Sequence, residues 1–344
     1  MSERFWRVLL PLCLLAGSIA CLVFGAAMAQ APDAAFAGKT VTMLIGFGPG
    51  GGYDLWARVI ARHLGKHLPG NPAVVPQNLE GAGSYRAANF IYNVAPKDGT
   101  TIGAISRDAV LGPLTGASGA QFDATKFSWL GTPAIETNVC IAYRTAAVKN
   151  VQDLKKKELV VGDTGVGTGT HSYPKALDDI LGFKFRIVGG YSSSADVFLA
   201  MERGEVQGIC ESYDSVMVRR PDWIANGTVA VLFQGGSKPN PKLKGAPFVV
   251  DLAQRPEDKQ AIEFLYTGQG IGRPYVAPPD LSADRLKMLR DAFNATMTDP
   301  EFTAEAKLRR LTIDAEDGGE LEALVKKAYA TPKPVIDRIG ELIQ

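Results

Sequence analysis

The sequence predicts an α/β protein of two lobes, each a mainly parallel sheet flanked by helices, and three observations point there. Apolar strands, glycine-rich turns and amphipathic helices alternate from Thr40 onward. The alternation lapses after Tyr143 and restarts at Val148. Helical periodicity then resumes from Ser282 to the end, beyond a Pro/Gly/Lys-rich loop at 239–247. Strands that alternate with helices at this rhythm make parallel sheets covered on both faces, and a restart means a second sheet.

The first unit, residues 40–58, reads TVTMLIGFGPGGGYDLWAR. Its apolar, partly β-branched run at 41–47 forms a buried strand, Gly48-Pro49-Gly50-Gly51-Gly52 breaks it, and a helix carrying Leu55, Trp56, Val59 and Ile60 restarts at Tyr53-Asp54. Such a turn presents bare backbone N–H groups at a helix N-terminus, where partial positive charge gathers, so it is a candidate anion seat. Asp54 would repel an anion; in the first helical turn it caps N–H groups and braces the glycines.

A strand at 73–76, a second glycine turn at 80–84, a helix at 85–94 and a strand at 101–105 ending on Ser106 complete the first run. In such sheets ligands sit beyond the carboxyl ends of the strands, where both turns and Ser106 lie. Strands at 127–130 and 139–143 mark a crossing. A short helix at 148–157, a strand at 159–162, a glycine- and threonine-rich turn at 163–170 and a helix from His171 to Leu181 follow. Then come a strand at 185–188, the turn 189–194, a helix at 195–203, a strand at 206–210, a helix at 256–265 and a strand at 271–277. The expected lobes are 33–138 with 269–344, and 139–268, with crossings near 137–143 and 268–271. Facing loop rims between two lobes make a cleft suited to a small ligand.

The N-terminus pairs Arg4 and Arg7 with an apolar run from Val8 and a small-x-small site at Ala27-Met28-Ala29, a secretory signal peptide cut after Ala29. The competing reading is an uncleaved anchor, since 8–29 is long enough to span a membrane. Loss of residues 1–29 takes Arg4, Arg7 and Glu3 from the 37 basic and 36 acidic residues and leaves 35 of each. A formally neutral chain lacks the clustered basic charge that nucleic acid or an anionic membrane requires. Cys140 and Cys210 are the two cysteines that remain, and in an oxidising compartment a single pair reads as a structural disulfide.

Other chemistries fit poorly. Gly46, Gly48 and Gly51 satisfy a dinucleotide fingerprint, but the second strand runs into Gln77-Asn78 and Glu80 comes late for a ribose contact. His63 and His67 lie one helical turn apart with no Glu between them and no evident third ligand, so they read as a solvated helix end and no metal is expected. Gly-x-Ser-x-Gly is absent and no serine stands in an elbow after a strand. Neither an enzyme nor a resident cofactor is expected.

Taken in order, the signal segment, GFGPGGGYDLWAR, the NLEGAGS and APKDGTTIG turns, GDTGVGTGTH and VGGYSSSADVFLAMERGEV resemble the solute receptors of tripartite tricarboxylate transporters, the Bug receptors. The likeness runs along the whole mature chain and is most specific at 40–105 and 159–211. It implies a two-lobed periplasmic binding protein of Venus-flytrap type, a monomer that holds a small organic acid and delivers it to a permease of one large and one small membrane subunit. It also implies the ligand contacts. In the first lobe these are Phe47, Gly48, Gly50, Gly51, Gly52 and Asp54, then Gly81, Ala82, Gly83 and Ser84, with Ser106 on the same rim. In the second lobe they are Thr164, Gly165, Gly167, Thr168, Thr170 and His171, and Tyr191, Ser192 and Ser193. The runner-up is a periplasmic subunit that binds the same acid for a signalling receptor.

Departures leave the acid open. Asp163 replaces a small residue or serine of many relatives, and Gly190-Tyr191 replaces Pro-Tyr. An amino, hydroxy, dicarboxylic or aromatic acid fits equally. Residues 46–54 and 80–85 hold no Arg or Lys, so an anion there is expected to rest on backbone N–H groups; the alternative is that Arg58 or Arg107, the nearest cations in sequence, reaches in and carries the binding.

Overall fold

Residues 35–343 are described by the computed structural model, and the predicted signal segment lies outside them. In chain order the elements of the first stretch are β1 (Thr40–Ile45), α1 (Gly52–Leu64), β2 (Ala73–Asn78), α2 (Tyr85–Asn93), β3 (Thr101–Ala104) and β4 (Ser128–Thr132). The chain then crosses into β5 (Asn138–Tyr143), α3 (Val151–Leu154), β6 (Leu159–Gly162), α4 (Gly169–Leu181), β7 (Phe185–Val188), α5 (Ser194–Arg203) and β8 (Gly208–Ser212). That stretch continues through α6 (Tyr213–Arg219), α7 (Asp222–Ala225), β9 (Val229–Gly235), α8 (Pro256–Leu265) and α9 (Thr267–Ile271). The return comprises β10 (Tyr275–Ala277), α10 (Ala283–Thr298), α11 (Pro300–Leu308), β11 (Glu316–Asp317), α12 (Gly318–Tyr329) and α13 (Lys333–Ile343).

Two sheets result, ordered β11-β4-β10-β3-β1-β2 and β7-β6-β8-β5-β9. Each has a parallel core, β2-β1-β3 in one and β7-β6-β8 in the other. Each core is extended by one antiparallel strand, β10 beside β3 and β5 beside β8. That added strand is the first one after a crossing between the lobes. Running antiparallel, it begins at the edge where its parallel neighbour ends: Asn138 pairs with Ser212, and Tyr275 with Ala104. The crossings therefore deliver their residues to the same rim as the glycine turns.

Burial follows from the apolar runs. β3 and β4 are buried throughout, and each sheet packs an apolar cluster on both faces. Trp56, Phe302 and Phe293 fill one side of the first sheet, while Phe198 and Met201 of α5 fill one side of the second. Cys140 and Cys210 face each other across the β5–β8 ladder with Cα atoms 4.0 Å apart, and they are joined as a disulfide. Among the described residues no helix is long and apolar enough to cross a membrane.

Three features differ from the sequence reading. The expected strand at 271–277 is a short helix followed by a three-residue strand, because Gly272 takes a φ of +72°, its amide closes on the Gly268 carbonyl, and Pro274 follows. Residues 213–235, given no element above, supply two helices and edge strand β9. The C-terminal helices do not all return to the first lobe. α13 packs on α4 and α8, and its Ile336 and Ile339 join the apolar cluster of the second sheet. The chain thus crosses between lobes a third time at 330–332, because α13 needs a buried partner for its apolar face.

Candidate ligand-binding cleft

Three helices begin at the shared rim. Gly51 precedes α1, Thr168 precedes α4 and Ser193 precedes α5, and none of the three helices has a side-chain cap. All three residues line one small cavity between the lobes, about 30 Å³ in volume. Such N-termini leave N–H donors and fractional positive charge facing that space, although at α4 the first N–H, that of Gly169, is taken by Asp108.

Two guanidiniums join them. Arg107 lies three residues beyond the end of β3, Arg273 two residues before β10, and both are almost fully buried at 4% and 2% exposure. Arg273 donates from Nε to Glu136 Oε1 at 2.5 Å and from Nη2 to Ser215 Oγ at 2.8 Å. Its guanidinium lies 4.9 Å above the Tyr53 ring, and that of Arg107 lies 5.8 Å from the same ring. Arg107 Nη1 is 3.4 Å from Glu136 Oε2, while its Nε, buried without a hydrogen-bond partner, lies 3.8 Å from Asp108 Oδ2. Burial raises the Glu136 carboxyl, but Arg273 and Arg107 more than reverse this and hold it below its ordinary value. Glu136 is thus an ionised counter-charge shared by two arginines, also bonded by Ser212 Oγ.

Two further carboxylates enter the cavity wall. Asp108 accepts from Gly169 N at 2.9 Å and from Tyr173 OH at 2.6 Å, both across the lobe boundary. Glu211, at the end of β8, accepts from the Ser212 amide at 2.6 Å and makes no ion pair among the described residues. Burial pushes both carboxyls up despite the nearby arginines. The lobes also meet at the outer rim, where Gly48 N donates to the Ser192 carbonyl at 3.0 Å.

Of the residues singled out from sequence, Phe47, Gly51, Gly52 and Ser106 line the cavity from the first lobe, and Thr164, Thr168, Thr170 and Ser193 from the second. The three threonine hydroxyls bond one another at 2.7–3.3 Å. The others lie outside it. Asp54 accepts from Gly50 N at 3.0 Å and from Arg58 Nε at 2.8 Å, so it braces the turn. Asp163 and His171 play the same part in the second lobe: Asp163 accepts from Gly165 N and from His171 Nδ1 at 2.7 Å. Gly83 abuts the Val166 carbonyl, Gly165 abuts Gly83, and Gly167 abuts Tyr85, so these glycines let the rims approach. Ser84 Oγ accepts from Ser106 N, while Gly81 and Ala82 hold the left-handed backbone of that turn. Ser192 is the outer rim contact, and Tyr191 packs against the apolar cluster behind β6.

The sequence reading missed Asp108, Asn138, Glu211, Gln269 and Arg273, which all line the cavity. It also expected an anion at the seat to rest on backbone N–H groups, with Arg58 or Arg107 as the alternative; Arg107 does line the cavity, and so does Arg273, which arrives from the crossing segment, far from both glycine turns in sequence. Arg58 stays outside, bonded to Asp54 and Asn78. At the far end of α1, His63 and His67 bond Glu305 and Asp299 of the α11 region. His63, Asp299 and Glu301 lie close together, and the Lys66 ammonium sits 2.7 and 2.6 Å from the two carboxylates.

No family model matches the chain. The chain is 24% identical over 308 residues, 84% of each chain, to a UPF0065 protein encoded in the gbd 5' region of Cupriavidus necator. Among solved structures it is similar to the periplasmic binding protein BugD, with a TM-score of 0.70, 20% identity and coverage of 89% of this chain and 99% of that one. It is similar also to MatC from Rhodopseudomonas palustris with bound malate, with a TM-score of 0.68, 18% identity and coverage of 86% and 98%. The chain therefore has the two-lobed fold of the periplasmic binding proteins and is similar to the Bug-type solute receptors that its motifs resemble.

Proposed function

We propose that this chain is a periplasmic solute receptor of the tripartite tricarboxylate type, which closes two lobes over a small organic acid and hands it to a membrane permease of one large and one small subunit. One observation carries the reading: three helix N-termini and two buried guanidiniums face a single interlobe cavity. Hydrogen bonds from N–H groups to a charged acceptor contribute about 1.5–3 kcal/mol each, so a few of them hold a carboxylate firmly. MatC, alike in fold, binds malate, which agrees with a carboxylate here. The residues assigned to the acid are Phe47, Gly51, Gly52, Ser106, Thr164, Thr168, Thr170 and Ser193, together with Arg107 and Arg273. The mature chain acts as a monomer after loss of 1–29 and releases its ligand unchanged.

The test is native mass spectrometry of protein from a bacterial periplasm, followed by calorimetry with any co-purified acid. A stoichiometric organic acid, recovered intact after incubation, is the expected result. A co-purified neutral sugar, or conversion of the bound acid, overturns the proposal.

A further inference from the structure

The cavity holds more acceptors than a simple anion seat uses. Asn138 and Gln269 are 2% and 1% exposed, and the side-chain oxygen of each is buried without a partner. Gln269 spends its amide on Tyr173 OH at 2.6 Å, which fixes its oxygen as the free end. Glu211, whose bonded partner is a neighbouring amide, adds a carboxylate. Buried acceptors left unpaired are costly, so two of them beside the Glu211 carboxylate on one cavity wall point to a donor-rich ligand group.

Resting on the receptor reading above, we propose that the ligand is a small ammonium carboxylate, whose carboxylate meets the helix N-termini and arginines and whose ammonium is received by Glu211, Asn138 Oδ1 and Gln269 Oε1. A primary ammonium has three donors and no acceptor, which matches this set. A second carboxylate there would face Glu211 and two lone-pair oxygens and find no donor among them. A cation beside Glu211 opposes the upward shift that burial gives its carboxyl, as Arg273 and Arg107 already do in part.

The experiment is calorimetry of the mature wild-type protein with three sets of probes: amino acids (glycine, L-aspartate, β-alanine, 4-aminobutyrate), their counterparts lacking the amino group (acetate, succinate, propionate, butyrate), and the hydroxy acids lactate and malate. At least one amino acid is expected to bind at least about tenfold more tightly than its counterpart lacking the amino group, since a charged hydrogen bond is lost. Glu211→Gln is expected to weaken that amino acid about tenfold or more while leaving carboxylates without an amino group unchanged. Asn138→Leu gives an independent reading should the first variant fail to fold, and it too is expected to weaken the amino acid selectively. Tighter binding of succinate or malate than of every amino acid, or a Glu211→Gln or Asn138→Leu variant that binds the amino acid as wild type does, overturns this inference and leaves the receptor reading standing. Absence of heat from every probe overturns both.

Discussion

Gly83→Ala tests whether ligand is held by the closed rims. A Cβ at Gly83 would lie 2.0 Å from the Val166 carbonyl oxygen of the other lobe, where ordinary contact begins at 3.4 Å. Backbone cannot swing aside as a side-chain tip does, so the lobes must part by more than about 1 Å. The rim bonds Gly169 N to Asp108, Tyr173 OH to Asp108 and Gly48 N to Ser192, now 2.9, 2.6 and 3.0 Å, would then pass beyond bonding reach. At about 0.5–1.5 kcal/mol each, their loss weakens closure and apparent affinity roughly tenfold to a thousandfold. Alanine also carries a backbone cost of about 1–2 kcal/mol at this left-handed position. Gly182 supplies the control, since its φ and ψ of 68° and 33° match the 60° and 34° of Gly83 and a Cβ there meets nothing within 4 Å. Both variants should lose similar thermal stability, and Gly83→Ala alone should lose affinity in calorimetry with the co-purified acid. Equal affinities in the two variants would refute closure across this contact.

Arg273→Met leaves Glu136 buried beside one guanidinium and should cost about 3 kcal/mol in urea unfolding, with part restored by adding Glu136→Gln; wild-type stability in the single variant would remove the shared counter-charge. Arg58→Ala, by contrast, should change ligand affinity by less than about 1 kcal/mol, because its partially exposed guanidinium pairs with Asp54 outside the cavity. Replacing Cys140 and Cys210 together by Ala opens a 70-residue loop and should lower stability by up to about 4 kcal/mol; an unchanged urea midpoint would count against the disulfide as a stabilising link. Arg62, donating to Glu305 against the opposing effect of burial and with help from His63 and Arg309, holds that carboxyl down at about 2 from an ordinary 4.5. A depressed carboxyl stabilises the fold above its unfolded value and ceases to do so as pH falls through its folded value. Glu305→Gln should therefore be less stable than wild type above pH 4.5, with the gap closing toward pH 2. A gap that persists at pH 2 would contradict the assignment.

The parallel cores were legible because their strands are apolar runs that end in glycine turns, and period and punctuation are both local signals. The same local signals located the starts of α1, α4 and α5, hence the helix ends at the cavity. The polar wall was not legible. Glu136, Asn138, Gln269 and Arg273 stand on segments that look like connections, and their place at the rim follows from β5 and β10 running antiparallel to their neighbours. No periodicity encodes that insertion. Arg107 and Asp108 carried a usable signal, since they directly follow Ser106 at the carboxyl end of β3. Their burial, which makes them matter, is set by Glu136 and Tyr173 on distant segments.

The position of α13 bears on the order of assembly. A chain that emerges from its N-terminus exposes the second sheet long before α13 exists, so the surface that Ile336 and Ile339 cover stays bare until α13 has been made. The first lobe waits too, for α10 and α12 to cover β4. Neither half can mature ahead of the other. An excised second lobe, 139–268, would lack one of its walls, and a truncation at Ala330 would loosen the lobe lying farther back in sequence rather than the one it seems to belong to.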